Sequence, residues 1–169
     1  MIRSPGLSAR PPDDTVLAAL LACHERIHRF TALAARLATA DGTPTERAEA
    51  GAGVVRYFTV ALPLHAADED LSLAPRLRGR DAAVDAALTQ MTAEHVAHAG
   101  PLARVVDAAR AIVAAPATAP PDLAAAAAAL AALFAAHLAL EERAIFPAIA
   151  ALPAEVQATI RAEMLARRR

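Results

Sequence analysis

A histidine followed by a His-x-x-x-Glu pair occurs twice in this chain: His24 with His65 and Glu69, then His95 with His137 and Glu141, at offsets of 71, 72 and 72 residues. A proline stands ten positions beyond each His-x-x-x-Glu histidine, in Leu73-Ala74-Pro75-Arg76-Leu77 and in Ile145-Phe146-Pro147-Ala148-Ile149, so the correspondence extends past the polar residues. Self-similarity at a fixed period marks a repeated structural unit, and the two halves read as copies of one helical hairpin. His and Glu four apart on a helix lie about 40° apart around its axis and about 6 Å along it, so each pair can reach one site in a bundle interior.

The apolar pattern predicts where the helices run. Leu17, Leu21, His24 and His28 follow at spacings of four and three, as one helix face requires, and predict a first helix over 13–39. Asp41-Gly42 breaks it. Thr43-Pro44-Thr45-Glu46 then offers an N-cap hydroxyl, a proline at N1 and a glutamate at N3, predicting a second helix to about Leu77 that bends at Pro63. After Gly79, the residues Val84, Leu88, Met91, His95, His98, Leu102 and Val105 mark a third helical seam. Pro121-Asp122 opens a fourth helix to about Ala150, and Pro153 precedes a short fifth one over 154–167. The expected fold is all-α, an up-down-up-down four-helix bundle with a short C-terminal fifth helix. Residues 1–12 are expected to be a disordered lead-in, 13–151 the bundle, and 152–169 a helix packed on or extending from it. An apolar share of 56%, mostly Ala and Leu, agrees.

Short connections make neighbouring helices antiparallel, and at about 1.5 Å per residue the depths of the four histidines match to roughly 3 to 5 Å. They can share one layer. Burying four imidazoles and two carboxylates there would cost several kcal/mol of desolvation without compensation; a metal removes the difficulty. Imidazole with carboxylate suits iron first, with manganese and zinc as alternatives, and no cysteine cluster offers thiolate chemistry. Two six-coordinate metals present twelve positions. Four histidines, two bridging carboxylates and a bridging oxo or hydroxo group fill ten, which leaves two open.

At these residues the sequence resembles the hemerythrin-like HHE cation-binding family, whose pattern is a histidine, His-x-x-x-Glu, a histidine and His-x-x-x-Glu on successive bundle helices. The resemblance covers about 14–150 and includes His24-Glu25, Leu62-Pro63-Leu64-His65 through Glu69, Glu94-His95, and His137 to Glu141 followed by Ile145-Phe146-Pro147. It implies metal ligation by His24, His65, Glu69, His95, His137 and Glu141. Oxygen-carrying members have five histidines and an aspartate bridge. Here position 99 is alanine, His98 is three residues from His95, and Glu141 stands where the carrier has its aspartate. Fewer histidines imply a more open centre, suited to sensing or oxidative chemistry.

Other polar residues are weighed against plainer roles. His28 and His98 lie on the ligand stripes as additional ligands or hydrogen-bond partners of ligands, or else as core or boundary histidines. Tyr57, two turns before His65, packs or hydrogen-bonds toward the centre. Asp68, Asp70, Glu94 and Glu142 flank ligands and are expected mainly as solvated charges, with orientation of an imidazole as the alternative. Cys23 is expected as core or boundary filler, and Arg167-Arg168-Arg169 as a solvated helix end. His24-Glu25-Arg26-Ile27-His28 also matches the zinc-peptidase H-E-x-x-H pattern, but that reading leaves the other four ligand candidates unused.

A net charge of −1 and 3% aromatic residues argue against nucleic-acid binding. The single cysteine excludes an internal disulfide and fits a cytoplasmic setting, and the N-terminal residues show no apolar core of signal-peptide length. The apolar stretch 123–140 is mainly alanine, carries His137 and runs into charge, which argues against a membrane span. The expected function is a non-haem di-iron protein that binds or responds to dioxygen, peroxide, nitric oxide or iron. The alternative is a di-iron oxidase, oxygenase or peroxidase acting on a small molecule.

Overall fold

The computed structural model describes residues 15–39 and 41–169. The expected lead-in at 1–12 and the first residues of the predicted first helix lie outside the described residues. Helix α1 (Val16–Leu37) opens on Thr15, whose hydroxyl accepts the Ala18 amide. Gly42 adopts φ +91°, a left-handed value that favours glycine, and turns the chain into α2 (Pro44–Arg56). There Thr43 and Glu46 form the reciprocal capping box that the sequence predicts.

From α2 one rod continues unbroken through π1 (Tyr57–Ala61), α3 (Leu62–Asp68), π2 (Glu69–Leu73) and α4 (Ala74–Leu77). Asp81 caps α5 (Ala82–Ala114) by accepting from the Ala83 and Val84 amides. The next rod comprises α6 (Leu123–Leu140), π3 (Glu141–Ile145) and α7 (Phe146–Ala150), and α8 (Ala154–Ala166) follows. Every regular element among the described residues is helical.

The three π turns share one cause. Leu62, Ala74 and Phe146 donate the bonds that close them, to the carbonyls of Tyr57, Glu69 and Glu141, and each donor immediately precedes a proline: Pro63, Pro75 or Pro147. A helical proline has no N–H and its ring collides with the carbonyl one turn back; widening the preceding turn lets the rod continue. The irregularity expected at Pro63 therefore falls in π1, upstream of the proline. Glu69 and Glu141 are the first residues of π2 and π3, so the repeat extends to backbone conformation.

α1 packs on α2 and α6, α2 on α5, and α5 on α6, while α8 lies against α1 and π2. The apolar interior forms two clusters. One gathers Ile27, Phe58, Leu62, Val105, Leu130 and Phe134; the other gathers Leu20, Leu73, Met91, Ile145, Phe146 and Met164. Each fully buried Leu or Phe in them contributes about 1.5–3 kcal/mol. On every rod the predicted ligands fall between a residue of one cluster and a residue of the other, so a polar layer separates two apolar cores. The rod over Leu123–Ala150 is long and apolar enough to cross a membrane by length and composition; here it contributes His137 and Glu141 to that buried layer.

Candidate metal centre

The structure brings the six repeated residues together. Oε1 of Glu69 lies 3.1 Å from His65 Nε2 and its Oε2 lies 3.1 Å from His95 Nε2. Glu141 does the same for the other two histidines, with His137 Nε2 at 2.7 Å from Oε1 and His24 Nε2 at 3.0 Å from Oε2. The imidazoles form two edge-on pairs, His24 with His65 at 5.5 Å and His95 with His137 at 5.0 Å between ring centroids. Two overlapping groups result, each able to hold one metal ion: His24, His65, Glu69 and Glu141, and Glu69, His95, His137 and Glu141. Both carboxylates belong to both groups.

The donor set fits such a group on its own evidence. Both oxygens of Glu69, Oε1 of Glu141 and both nitrogens of His65 are buried without a hydrogen bond of acceptable geometry. Buried polar atoms are almost always partnered, and here the carboxylate oxygens converge with one nitrogen of His65 in one place. Burial holds His65 neutral, lowering its pKa to about 3, with the neighbouring imidazoles adding to the effect. Burial, reinforced by the adjacent Glu141 charge, raises Glu69 well above the usual carboxylate range. Burial also acts upward on Glu141, but the imidazoles of His137 and His24 outweigh it and hold the carboxyl well below that range. In the metal-free site the two carboxyls are thus shifted in opposite directions.

The flanking acids depart from the sequence expectation. Three of the four reach an imidazole Nδ1: Glu142 meets His24 at 2.8 Å, Glu94 meets His137 at 2.7 Å and Asp70 meets His95 at 3.4 Å. An ionised carboxylate only accepts, so Nδ1 carries a hydrogen and Nε2 is left as the nitrogen free to ligate once a metal takes the place of the proton between it and the shared carboxylates. Their i±1 placement beside ligands was the available signal, but it cannot say which imidazole each one meets. Asp68, the fourth, is fully buried and bound by Arg167 and Arg168. The arginine tail is accordingly not a free solvated end.

The three further candidates separate. His28 is exposed one turn beyond His24, on the outer face, and joins neither group. Tyr57 is buried in the apolar cluster with its ring stacked on Phe30 at 4.1 Å, and burial raises its phenol pKa; it packs. His98 is buried edge-on to His137 at 5.1 Å between centroids. It lines a cavity of about 160 Å³ together with His65, His95, His137, Leu62 and Phe134. Exposed Pro63 and Ala99 stand at the rim of this cavity. Cys23 is a buried free thiol, as expected of filler.

A family model described as the hemerythrin HHE cation binding domain matches residues 15–162. The match takes in all six residues of the layer, and the chain belongs to that family. No curated protein matches the sequence.

Proposed function

We propose that this cation-binding domain holds two metal ions, iron in the first instance, on His24, His65, Glu69 and Glu141 and on Glu69, His95, His137 and Glu141. Manganese and zinc are the alternatives compatible with the same donors. In this reading the four rods alternate up-down-up-down and each contributes to the layer. The observation that carries the proposal is the pair of buried carboxylates, each lying between two imidazoles and together shared by both groups.

When bound, the metals supply open coordination positions and, for iron, one-electron redox chemistry toward dioxygen, peroxide or nitric oxide. The chain supplies the rest. Glu94, Glu142 and Asp70 set the tautomer and plane of three ligand rings. The cavity beside His65, His95 and His137 is walled mainly by apolar side chains, which limits the water that reaches this side. His98, which belongs to neither group, also lines this cavity and offers a ring nitrogen to a small guest.

Reconstitution with Fe(II) tests the reading. About two irons per chain and, after exposure to air, near-ultraviolet absorption from an oxo bridge support it; tight binding of a single zinc with no iron uptake refutes it. A second reading, a di-iron oxidase, oxygenase or peroxidase, draws on the cavity volume, since a cavity of about 150 Å³ accepts a benzene-sized molecule. Turnover of peroxide or a small organic substrate by the iron-loaded protein, abolished in Glu69→Ala and Glu141→Ala while the helices persist, would favour it over sensing.

A further inference from the structure

Asp68 precedes Glu69 and closes α3, and it has no exposed surface. Its Oδ1 accepts from Arg167 Nη1 at 2.8 Å and its Oδ2 from Arg168 Nη2 at 2.5 Å. Arg167 also donates through Nη2 to Ser72 Oγ at 2.6 Å, and Ser72 donates to Glu163 on α8 at 2.5 Å. Arg76 closes the far side, gripping Glu163 with both terminal nitrogens and donating to the Ser72 carbonyl at 2.8 Å. Both ends of the π turn that begins at Glu69 are therefore tied to α8 and the residues after it.

The second half of the repeat lacks this device. At the offset of 72 residues, Asp68 corresponds to Leu140 and Ser72 to Ala144, both of which join the apolar cluster around Ile145 and Phe146. π3 is thus held by apolar packing, whereas π2 is held by buried charge. Arg167 and Arg168 also lie beyond the 15–162 stretch that matches the family. A π turn is rare and occurs mostly as a single widened turn inside an α-helix, frequently at functional sites, and the direction of its first side chain depends on what holds its ends.

We propose that Asp68 is a positioning residue for Glu69. Latched by Arg167 and Arg168, it fixes the π turn that aims this carboxylate at both metal groups, and metal occupancy is thereby coupled to docking of α8. The coupling rests on the metal-centre reading above. It runs both ways by thermodynamic linkage: a latch that favours metal binding is itself tightened by metal. The region around α8 then reports the state of the centre on the outside of the bundle.

The test uses the full chain with Co(II) as the probe, whose visible absorption reports its coordination. Arg167→Ala/Arg168→Ala leaves Asp68 buried and unpaired, which endangers folding. The triple variant Asp68→Ala/Arg167→Ala/Arg168→Ala removes the charges together and keeps the helix content. The triple variant should bind Co(II) about tenfold more weakly with an altered spectrum, and Arg167→Lys/Arg168→Lys should recover part of the loss. Amide hydrogen exchange over 66–73 should quicken in the metal-free triple variant while α5 and α6 stay protected, and Co(II) should slow exchange in α8 of the wild type. Unchanged affinity and spectrum in the triple variant, or unchanged α8 exchange on loading the wild type, overturns the coupling. Wild-type protein that takes up no metal overturns the metal-centre reading and the coupling with it; exchange over 66–73 in the metal-free proteins then still decides whether Asp68 holds the turn.

Discussion

Nδ1 of His137 on α6 lies 2.7 Å from Oε2 of Glu94 on α5, so a carboxylate one residue before His95 orients an imidazole on a different helix. α5 thus carries one ligand, His95, and helps to aim another on α6. The hydrogen bonds from Gln90 and His137 hold Glu94 below the usual carboxylate range although burial acts upward, so it is ionised at neutral pH. Glu94→Gln should weaken metal binding by about 10 to 100-fold with helix content intact, as loss of such outer partners generally does. Glu142→Gln should act the same way through His24 but less strongly, because the Glu142 side chain is 46% exposed. Metal titration followed by absorption checks both.

Loss of a shared carboxylate should differ from loss of a single imidazole. Glu69 and Glu141 belong to both candidate groups, whereas His65 belongs to one. Glu69→Ala and Glu141→Ala are expected to compromise both sites and yield well under two metals per chain, while His65→Ala should retain about one, in the group with His95 and His137. Elemental analysis of the three variants under identical loading separates these outcomes. Equal stoichiometry in all of them would contradict the shared-carboxylate arrangement.

The metal-free protein should have a bell-shaped dependence of stability on pH. Unfolded His65 takes up a proton near pH 6.5 but the folded residue does so only near 3, so stability falls as pH drops through that window. Glu69 has the opposite sign: its folded pKa is raised above the unfolded value of 4.5, so its contribution is present below pH 4.5 and is lost as pH rises toward the folded value. Glu69→Gln should therefore be more stable than the wild type at pH 8 without metal and should lose that advantage when metal is added. Urea midpoints measured across pH with and without Co(II) give the answer.

Two substitutions remote from the polar layer gauge the scaffold. Phe58 is 1% exposed and packs against Phe134 at 6.4 Å between centroids; Phe58→Ala should cost about 3–5 kcal/mol. Thr43→Ala removes the capping box of α2 and should cost about 1 kcal/mol. Chemical denaturation measures both, and neither should change metal stoichiometry in protein that remains folded.

The helices were legible because their signals are local. The Thr43 cap, the glycine breaks and the apolar spacing act within one or two turns; the observed α1 and α8 begin and end, and α5 begins, close to where these signals place them. The six-residue set was legible for a related reason: the repeat writes the same residue types twice at the same spacing. The π turns were only half legible. Pro63, Pro75 and Pro147 announced irregularity, but a bend and a widened turn both relieve a helical proline, and packing selects between them.

Taken alone, the sequence determined an all-helical chain with two copies of a histidine and carboxylate pattern, because periodicity and donor type are properties of neighbouring residues. The tertiary structure decided the pairings. It directed Glu69 to His95, gave Glu94 to His137 and Glu142 to His24, left His28 outside, and buried Asp68 beneath an arginine pair 99 and 100 residues away. These partners stand on different helices. Which of them meet depends on the rotation and depth of one rod against another, and the widened turns and the two apolar cores set these together.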